Sequence, residues 1–260
     1  MKKKSFGKQL WNHWCDVVFP TLSCGGCGEK TSETYVGICD FCVEAMVEAR
    51  MNHEFCSRCG SFYASQFMSC PSCFQDTRHR YYSKVQSFCI YDEVSAPLVK
   101  AFKFHRALYL AEPMAKLMAG FLDIDEDGRF DSIVPVPLHR RRYRERGYNQ
   151  SLLLAKALVG FSSLAVASDI LVKVKDTPSQ TTLSGLQRRN ALRGAYDVTE
   201  QGREAVEGRR LILLDDVITT GATAIECAKV LKHYGAKEIK VVTFAAGSRK
   251  FDGNFNGTLS

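Results

Sequence analysis

Arg209-Arg210-Leu211-Ile212-Leu213-Leu214-Asp215-Asp216-Val217-Ile218-Thr219-Thr220-Gly221-Ala222-Thr223 is the stretch whose reading decides the fold. Leu211 to Leu214 is an unbroken apolar run, as a strand covered on both faces of a parallel sheet requires. The run stops at two adjacent carboxylates and then at a short loop of Thr and Gly. From Ala224 to Tyr234 the apolar spacing becomes helical, through Ile225, Ala228, Val230 and Leu231, and Gly235 supplies a C-terminal stop. The order strand, acidic loop, helix places the chain in the α/β class. In open α/β sheets ligands bind beyond the carboxyl ends of the strands. A helix N-terminus preceded by Gly and hydroxyls attracts an anion, because unpaired N–H groups and the helix dipole both favour negative charge there.

Two carboxylates beside an anion cradle make chemical sense once a sugar is placed between them. Asp215 and Asp216 can accept hydrogen bonds from vicinal ribose hydroxyls or hold Mg2+ through water. Thr219, Thr220, Gly221, Ala222 and Thr223 would then grip a 5′-phosphate. The plain alternative is a helix start in which Asp216 caps a turn and Thr223 with Glu226 forms a capping box. A cap needs neither paired acids nor the whole hydroxyl-glycine run. The segment resembles the ribose-phosphate signature of type I phosphoribosyltransferases: a hydrophobic strand, two acids, then Thr-Thr-Gly-x-Thr.

Outward from this stretch, 260 residues exceed the usual single-domain size, so two domains are expected. No apolar run reaches the length of a membrane span. The basic start Met1-Lys2-Lys3-Lys4 leads into polar and aromatic residues, not a signal-peptide core, and points to a cytoplasmic protein. A net charge of +7 suits a phosphorylated ligand or nucleic acid without selecting between them. Eight of the eleven cysteines form four CxxC pairs: Cys24/Cys27, Cys39/Cys42, Cys56/Cys59 and Cys70/Cys73. Two such pairs complete a four-thiolate Zn2+ site. Separations of 11 and 10 residues within neighbouring pairs fit two zinc-ribbon hairpins in series. The expected sets are Cys24, Cys27, Cys39, Cys42 and Cys56, Cys59, Cys70, Cys73; a cross-braced pairing fits the spacing too. Closed four-thiolate sites are structural, and metal would supply the folding energy that so few aliphatics cannot. Cys15, Cys89 and Cys227 have no CxxC partner and read as buried apolar side chains.

Past the cysteines, Ser87 to Tyr91 reads as a strand, and Val94 to Phe104 has an apolar face from which Lys103 and Arg106 point toward a phosphate or solvent. Leu110 to Leu122 is an amphipathic helix. Asp123 to Gly128 matches half of a calcium loop, but Val134 stands where its bidentate Glu is needed, which excludes calcium. Asp131 to Pro137 is a short strand broken by prolines. Arg140 to Arg146 then packs five arginines into seven residues at another strand-to-helix junction. Arg140, Arg142 and Arg146 suit a bidentate grip on phosphates. Asp169 to Lys175 alternates as a strand. The long polar stretch from Asp176 to Asn190 reads as a lid closing over an anion with Gln180, Arg188 and Arg189. Glu238 to Ala245 is the last parallel strand. The expected divisions are 1–22, a basic and aromatic segment; 23–75, a double zinc ribbon; 76–110, a connection; 111–246, the sugar-phosphate domain; and 247–260, a polar tail.

The order of these pieces resembles the ComF family of late-competence proteins over about residues 15 to 246. Two CxxC ribbons precede Pro-Val-Pro with Arg-Gly-Tyr-Asn-Gln, then Asp-Thr-Pro-Ser-Gln-Thr with Arg189-Asn190, then Asp-Asp-Val-Ile-Thr-Thr-Gly-Ala-Thr. The resemblance implies a type I phosphoribosyltransferase-like parallel sheet flanked by helices, preceded by a small four-cysteine zinc-ribbon domain. It further implies structural Zn2+, phosphoribosyl pyrophosphate or a related ribose 5-phosphate with Mg2+, and single-stranded DNA and competence-machinery proteins as partners. Turnover would displace pyrophosphate from the sugar C1 through an oxocarbenium-like state, with Asp215 and Asp216 fixing the ribose. Purine-salvage members of the fold carry an acid where Thr219 stands; orotate-type members carry Thr. The readings in contention are a competence protein acting on or binding DNA, a metabolic phosphoribosyltransferase with an unidentified acceptor, and a non-catalytic phosphoribosyl pyrophosphate sensor.

Overall fold

The computed structural model of the chain describes residues 23–31, 34–76, 78–125, 128–177 and 190–247. At its centre five strands form an all-parallel sheet: β3 (Lys84–Tyr91), β4 (Ser132–Pro135), β5 (Ala165–Val166), β8 (Arg210–Ile218) and β9 (Glu238–Gly247). Their order across the sheet is β3-β9-β8-β4-β5. Leu211 to Leu214 lies in β8, in the middle of the sheet, and all four side chains are buried. The acids do not end this strand as expected. β8 runs on to Ile218 because β9 is long enough to pair Asp215 with Thr243 and Ile218 with Ala246.

Alternation along β8 and β9 feeds two cores. Ile212, Leu214, Val242 and Phe244 face one, which is closed by α3 (Ser95–Phe104), α4 (Ala111–Phe121) and α6 (Gln150–Val159). Leu211, Leu213, Ile239 and Val241 face the other. α8 (Ala222–His233), Val206 of the short α7 (Gly202–Val206) and a small antiparallel pair cover that side. The pair is β6 (Leu171–Lys173) with β7 (Tyr196–Val198), so the alternating run near Asp169 leaves the main sheet instead of joining it. The first strand of the sheet, β3, comes from within 76–110, read from sequence as a connection.

The cysteine region is not set apart from this sheet. α1 (Asp40–Met51) carries Met46 and Cys42 into the first core, beside Leu98 and Leu110. Phe62 of the hairpin β1 (His53–Phe55) and β2 (Phe62–Ala64) enters the second core. The free edge of β3 is covered by the same region. Arg50 donates to the carbonyls of Ser87 (2.6 Å) and Phe88 (2.8 Å), and Val85 N–H donates to Ser57 O (2.6 Å). A guanidinium and a loop thus satisfy groups that would otherwise template edge pairing.

Candidate functional site

The loop after β8 turns at Gly221, whose φ of +69° lies in the left-handed region where a side chain is strained. Gly221, not Thr223, is the residue that caps α8, and Glu226 accepts from Gly194 N–H at 3.3 Å. The capping-box alternative for Thr223 and Glu226 is therefore not the arrangement found. Thr219, Thr220, Gly221, Ala222 and Thr223 all line one cleft at the carboxyl end of β8, of about 210 Å³.

Asp215 and Asp216 line the same cleft. Lys103 Nζ lies 2.8 Å from Asp216 Oδ2, and Ser151 Oγ donates to Asp215 Oδ1 at 2.9 Å. Asp216 is 1% exposed, and that lysine is its ion-pair partner. Burial, then the neighbouring Asp216 carboxylate, pushes Asp215 up to about 7; Lys103 pulls the other way. Burial works against the charge of Lys103, but Asp216 and Asp215 together hold its pKa above the ordinary lysine value.

Local sequence explains how these groups meet. Asn149 caps α6 by accepting from Ser151 N–H (3.0 Å) while donating to Val136 O (3.0 Å), which ties the helix to the end of the Pro-Val-Pro strand. Ser151, the second residue of α6, is thereby aimed at Asp215. At that strand-to-helix junction the arginine run forms a short helix of its own, α5 (Arg140–Arg146), ended by Gly147 at φ +86°. Arg142 and Arg146 face the cleft; Arg140 is exposed and does not line it. The helical spacing sends residues two apart to different faces. Arg146 donates to Gln150 and stacks 5.1 Å from the Phe104 ring centroid. Gln180, Arg188 and Arg189 of the expected lid lie outside the described residues. Thr177, just before that stretch, lines the cleft with a buried hydroxyl that has no hydrogen-bond partner among the described residues.

Sequence reasoning left out several of these parts. Ser151 had a signal in the Asn149 cap. Lys173 and Tyr196 line the cleft from β6 and β7 and had none, because only the off-sheet pairing brings them there. Arg78 reaches the loop after β8 from the other side, donating to Thr220 O at 3.0 Å while bonded through Nε to Asp76 at 2.7 Å. The hydrogen bond from Arg78 holds Asp76 well below the usual carboxylate range.

The eight paired cysteines gather into two clusters, Cys24, Cys27, Cys39, Cys42 and Cys56, Cys59, Cys70, Cys73, each with its sulfurs within 4.8 Å of one another. Neighbouring pairs combine; the cross-braced scheme is not the one found. Sulfur separations of 3.4 Å (Cys27–Cys39), 3.6 Å (Cys56–Cys73) and 3.5 Å (Cys59–Cys70) are near the roughly 3.8 Å edge of a Zn2+ tetrahedron with ~2.3 Å bonds. The donor set therefore fits Zn2+. In the second cluster the expected hairpin is present, and Cys70 and Cys73 are held by the short α2 (Pro71–Gln75). In the first, Cys39 caps α1, its sulfur accepting from Cys42 N–H, so a knuckle meets a helix there. Cys89 and Cys227 are fully buried, as apolar side chains would be; Cys15 lies outside the described residues.

Comparisons with known proteins agree with this geometry. The family model described as phosphoribosyl transferase domain matches residues 150–252, which contain β8, the loop and α8. Competence protein F of Haemophilus influenzae is 30% identical over 211 residues, covering 79% of this chain and 88% of that protein. DNA utilization protein YhgH of Escherichia coli K12 is 29% identical with the same coverage. Competence protein ComFC of Streptococcus pneumoniae is 23% identical over 198 residues, covering 71% and 84%. A parallel sheet with flanking helices, two four-cysteine clusters ahead of it and these relatives together make the chain a member of the ComF family, with a phosphoribosyltransferase-like domain.

Proposed function

We propose that the cleft binds phosphoribosyl pyrophosphate, or a related ribose 5-phosphate, with Mg2+, and that this binding serves the handling of single-stranded DNA in natural competence. The observation that carries the reading is one cleft holding two unlike halves: a hydroxyl-glycine loop at a helix N-terminus, and two carboxylates a few residues before it. An anion-binding loop next to buried acids suits a molecule with a phosphate on one side and hydroxyls on the other. In this reading Thr219 to Thr223 hold the 5-phosphate and Asp215 with Asp216 accept from the ribose hydroxyls. Arg142, Arg146 and Lys103 face the pyrophosphate. Mg2+, when bound, neutralises charge on the leaving pyrophosphate, and the acid pair is the group able to hold it through water. Gln180, Arg188 and Arg189 would close the site from the lid. The two metal clusters are structural Zn2+ sites, since all four positions of each are protein ligands. The competence and DNA-utilization names of the relatives support the DNA part of the reading.

Calorimetric titration of the purified chain with phosphoribosyl pyrophosphate and Mg2+ tests the site. Saturable binding that is lost in Asp215→Asn/Asp216→Asn, with zinc content unchanged, supports it; equal affinity in parent and variant refutes it. Release of pyrophosphate when a nucleobase is added would identify a transferase with a soluble acceptor.

A further inference from the structure

The second cysteine cluster is not sealed from solvent. Cys59 and Cys70 are buried, but Cys56 and Cys73 are only half-buried, and their sulfurs lie 3.6 Å apart. A small oxidant therefore reaches both members of one close pair, and exposure is what makes cysteine oxidation selective. With Zn2+ bound, as the sulfur spacing fits, these groups are thiolates, the nucleophilic form. From this pair a polar chain runs to the cleft. Arg80, 6% exposed, donates through Nη2 to Cys73 Sγ (3.8 Å) and to Asp76 Oδ2 (3.1 Å). Asp76, which ends α2, also accepts from Arg78 Nε, and Arg78 donates in turn to Thr220 O in the loop after β8. Apolar contact runs beside this chain: Gly60, next to Cys59, packs on Ile218 at the end of β8. Cys24, Cys39 and Cys42 of the first cluster pack instead in the other core, with Leu98 and Leu110.

We propose that Cys56 and Cys73 are a peroxide-sensitive site, whose oxidation releases Zn2+ from the second cluster and loosens the loop from Thr219 to Thr223. One thiolate attacks a peroxide oxygen and becomes a sulfenic acid as hydroxide leaves. The other attacks that sulfur, forms the disulfide and expels a second hydroxide, so the two electrons lost by the sulfurs go to the peroxide. With two of its four ligands gone, the metal leaves. The new bond draws the sulfurs well inside their 3.6 Å separation, away from Arg80, and takes the end of α2 with it. Asp76 then no longer holds Arg78 against Thr220 O. Weaker binding of phosphoribosyl pyrophosphate follows, and this last step rests on the ligand proposed above.

The test treats the full zinc-loaded chain with limiting hydrogen peroxide. Peptide mass spectrometry identifies the oxidised cysteines, a chromogenic chelator counts released zinc, hydrogen exchange follows the loop, and calorimetry gives the affinity for phosphoribosyl pyrophosphate with Mg2+. The expected result is a Cys56–Cys73 disulfide, zinc release and faster exchange in residues 219–223. Binding is expected to weaken about tenfold, the worth of the Arg78 hydrogen bond. A thiol reductant with Zn2+ is expected to reverse all of these. Arg78→Ala, already uncoupled, is expected to lose zinc to peroxide like the parent, with no further change in exchange or affinity. Zinc loss with unchanged loop exchange overturns the proposal, as does a second cluster that keeps its thiols and its zinc. So does a fall in affinity that follows oxidation of Cys27 while Cys56 and Cys73 stay reduced, or an equal further fall in Arg78→Ala. A chain that binds no phosphoribosyl pyrophosphate before or after oxidation refutes the ligand, and loop exchange in parent and Arg78→Ala then decides the switch by itself.

Discussion

Lys103, about a quarter exposed, is the ion-pair partner of the buried Asp216. Removing one partner leaves the other desolvated. Lys103→Met is expected to destabilise the fold by about 3–5 kcal/mol in urea unfolding at pH 8, and Lys103→Met/Asp216→Asn to recover most of it. A double variant no more stable than the single one would show that the lysine acts through packing. Asp215 carries a different signature. Its pKa rises from 3.8 to about 7, so between these values the folded chain holds a proton that the unfolded chain has released. Stability contributed at this position therefore falls as pH rises from about 4 to 7, and is flat above. Asp215→Asn is expected to gain thermal stability relative to the parent on going from pH 5 to pH 8. A constant difference across that range contradicts the assignment. Deprotonation is also what a ribose-hydroxyl acceptor or Mg2+ partner needs, so ligand affinity should rise over the same window and then level off.

At the scale of elements, the loop from Thr219 to Thr223 is braced from the second cysteine cluster. Gly60, between Cys59 and β2, packs so closely on the end of β8 that a Cβ there would meet Val85 at 2.9 Å and Ile218 at 3.0 Å. Its φ of +80° adds backbone strain to any substitution. Arg78 makes the polar half of the brace through Thr220 O. Arg78→Ala is expected to lower affinity for phosphoribosyl pyrophosphate about tenfold, a charge-assisted hydrogen bond's worth, without changing zinc content. An unchanged dissociation constant would mean the loop is held by α8 alone. Gly60→Ala should cost at least about 1 kcal/mol of stability.

For the whole molecule, the first cysteine cluster belongs to the same core as the sheet, and Phe62 beside the second cluster enters the other core. Cys24, Cys39 and Cys42 lie among Leu98, Leu110 and Met114, and Arg50 seals the edge of β3. Metal removal should therefore act beyond the ligands. Denaturation in the presence of a strong chelator is expected to release two zinc ions per chain and to lower the melting temperature of the entire fold, read by far-ultraviolet circular dichroism. A sheet that melts at the parent temperature after losing its metal would show that the two parts are independent. Among the described residues, no helix is long and apolar enough to cross a membrane.

Properties written in contiguous residues are legible in the amino-acid order alone: the buried run Leu211 to Leu214, the acids and hydroxyl loop behind it, and the four CxxC pairs. Each is local, set by side-chain period or by ligand spacing of a few residues. The continuation of β8 through its acids is not written there, because it depends on the length of β9 beside it. Nor is the convergence of Lys103, Ser151, Lys173 and Tyr196 on Asp215 and Asp216, or the turning away of Arg140 while Arg142 and Arg146 face in. Those facts arise where distant segments pack against one another. Tertiary structure also joined the cysteine clusters to the sheet, since only the shared cores bring Gly60 and Arg78 against the loop that begins at Thr219.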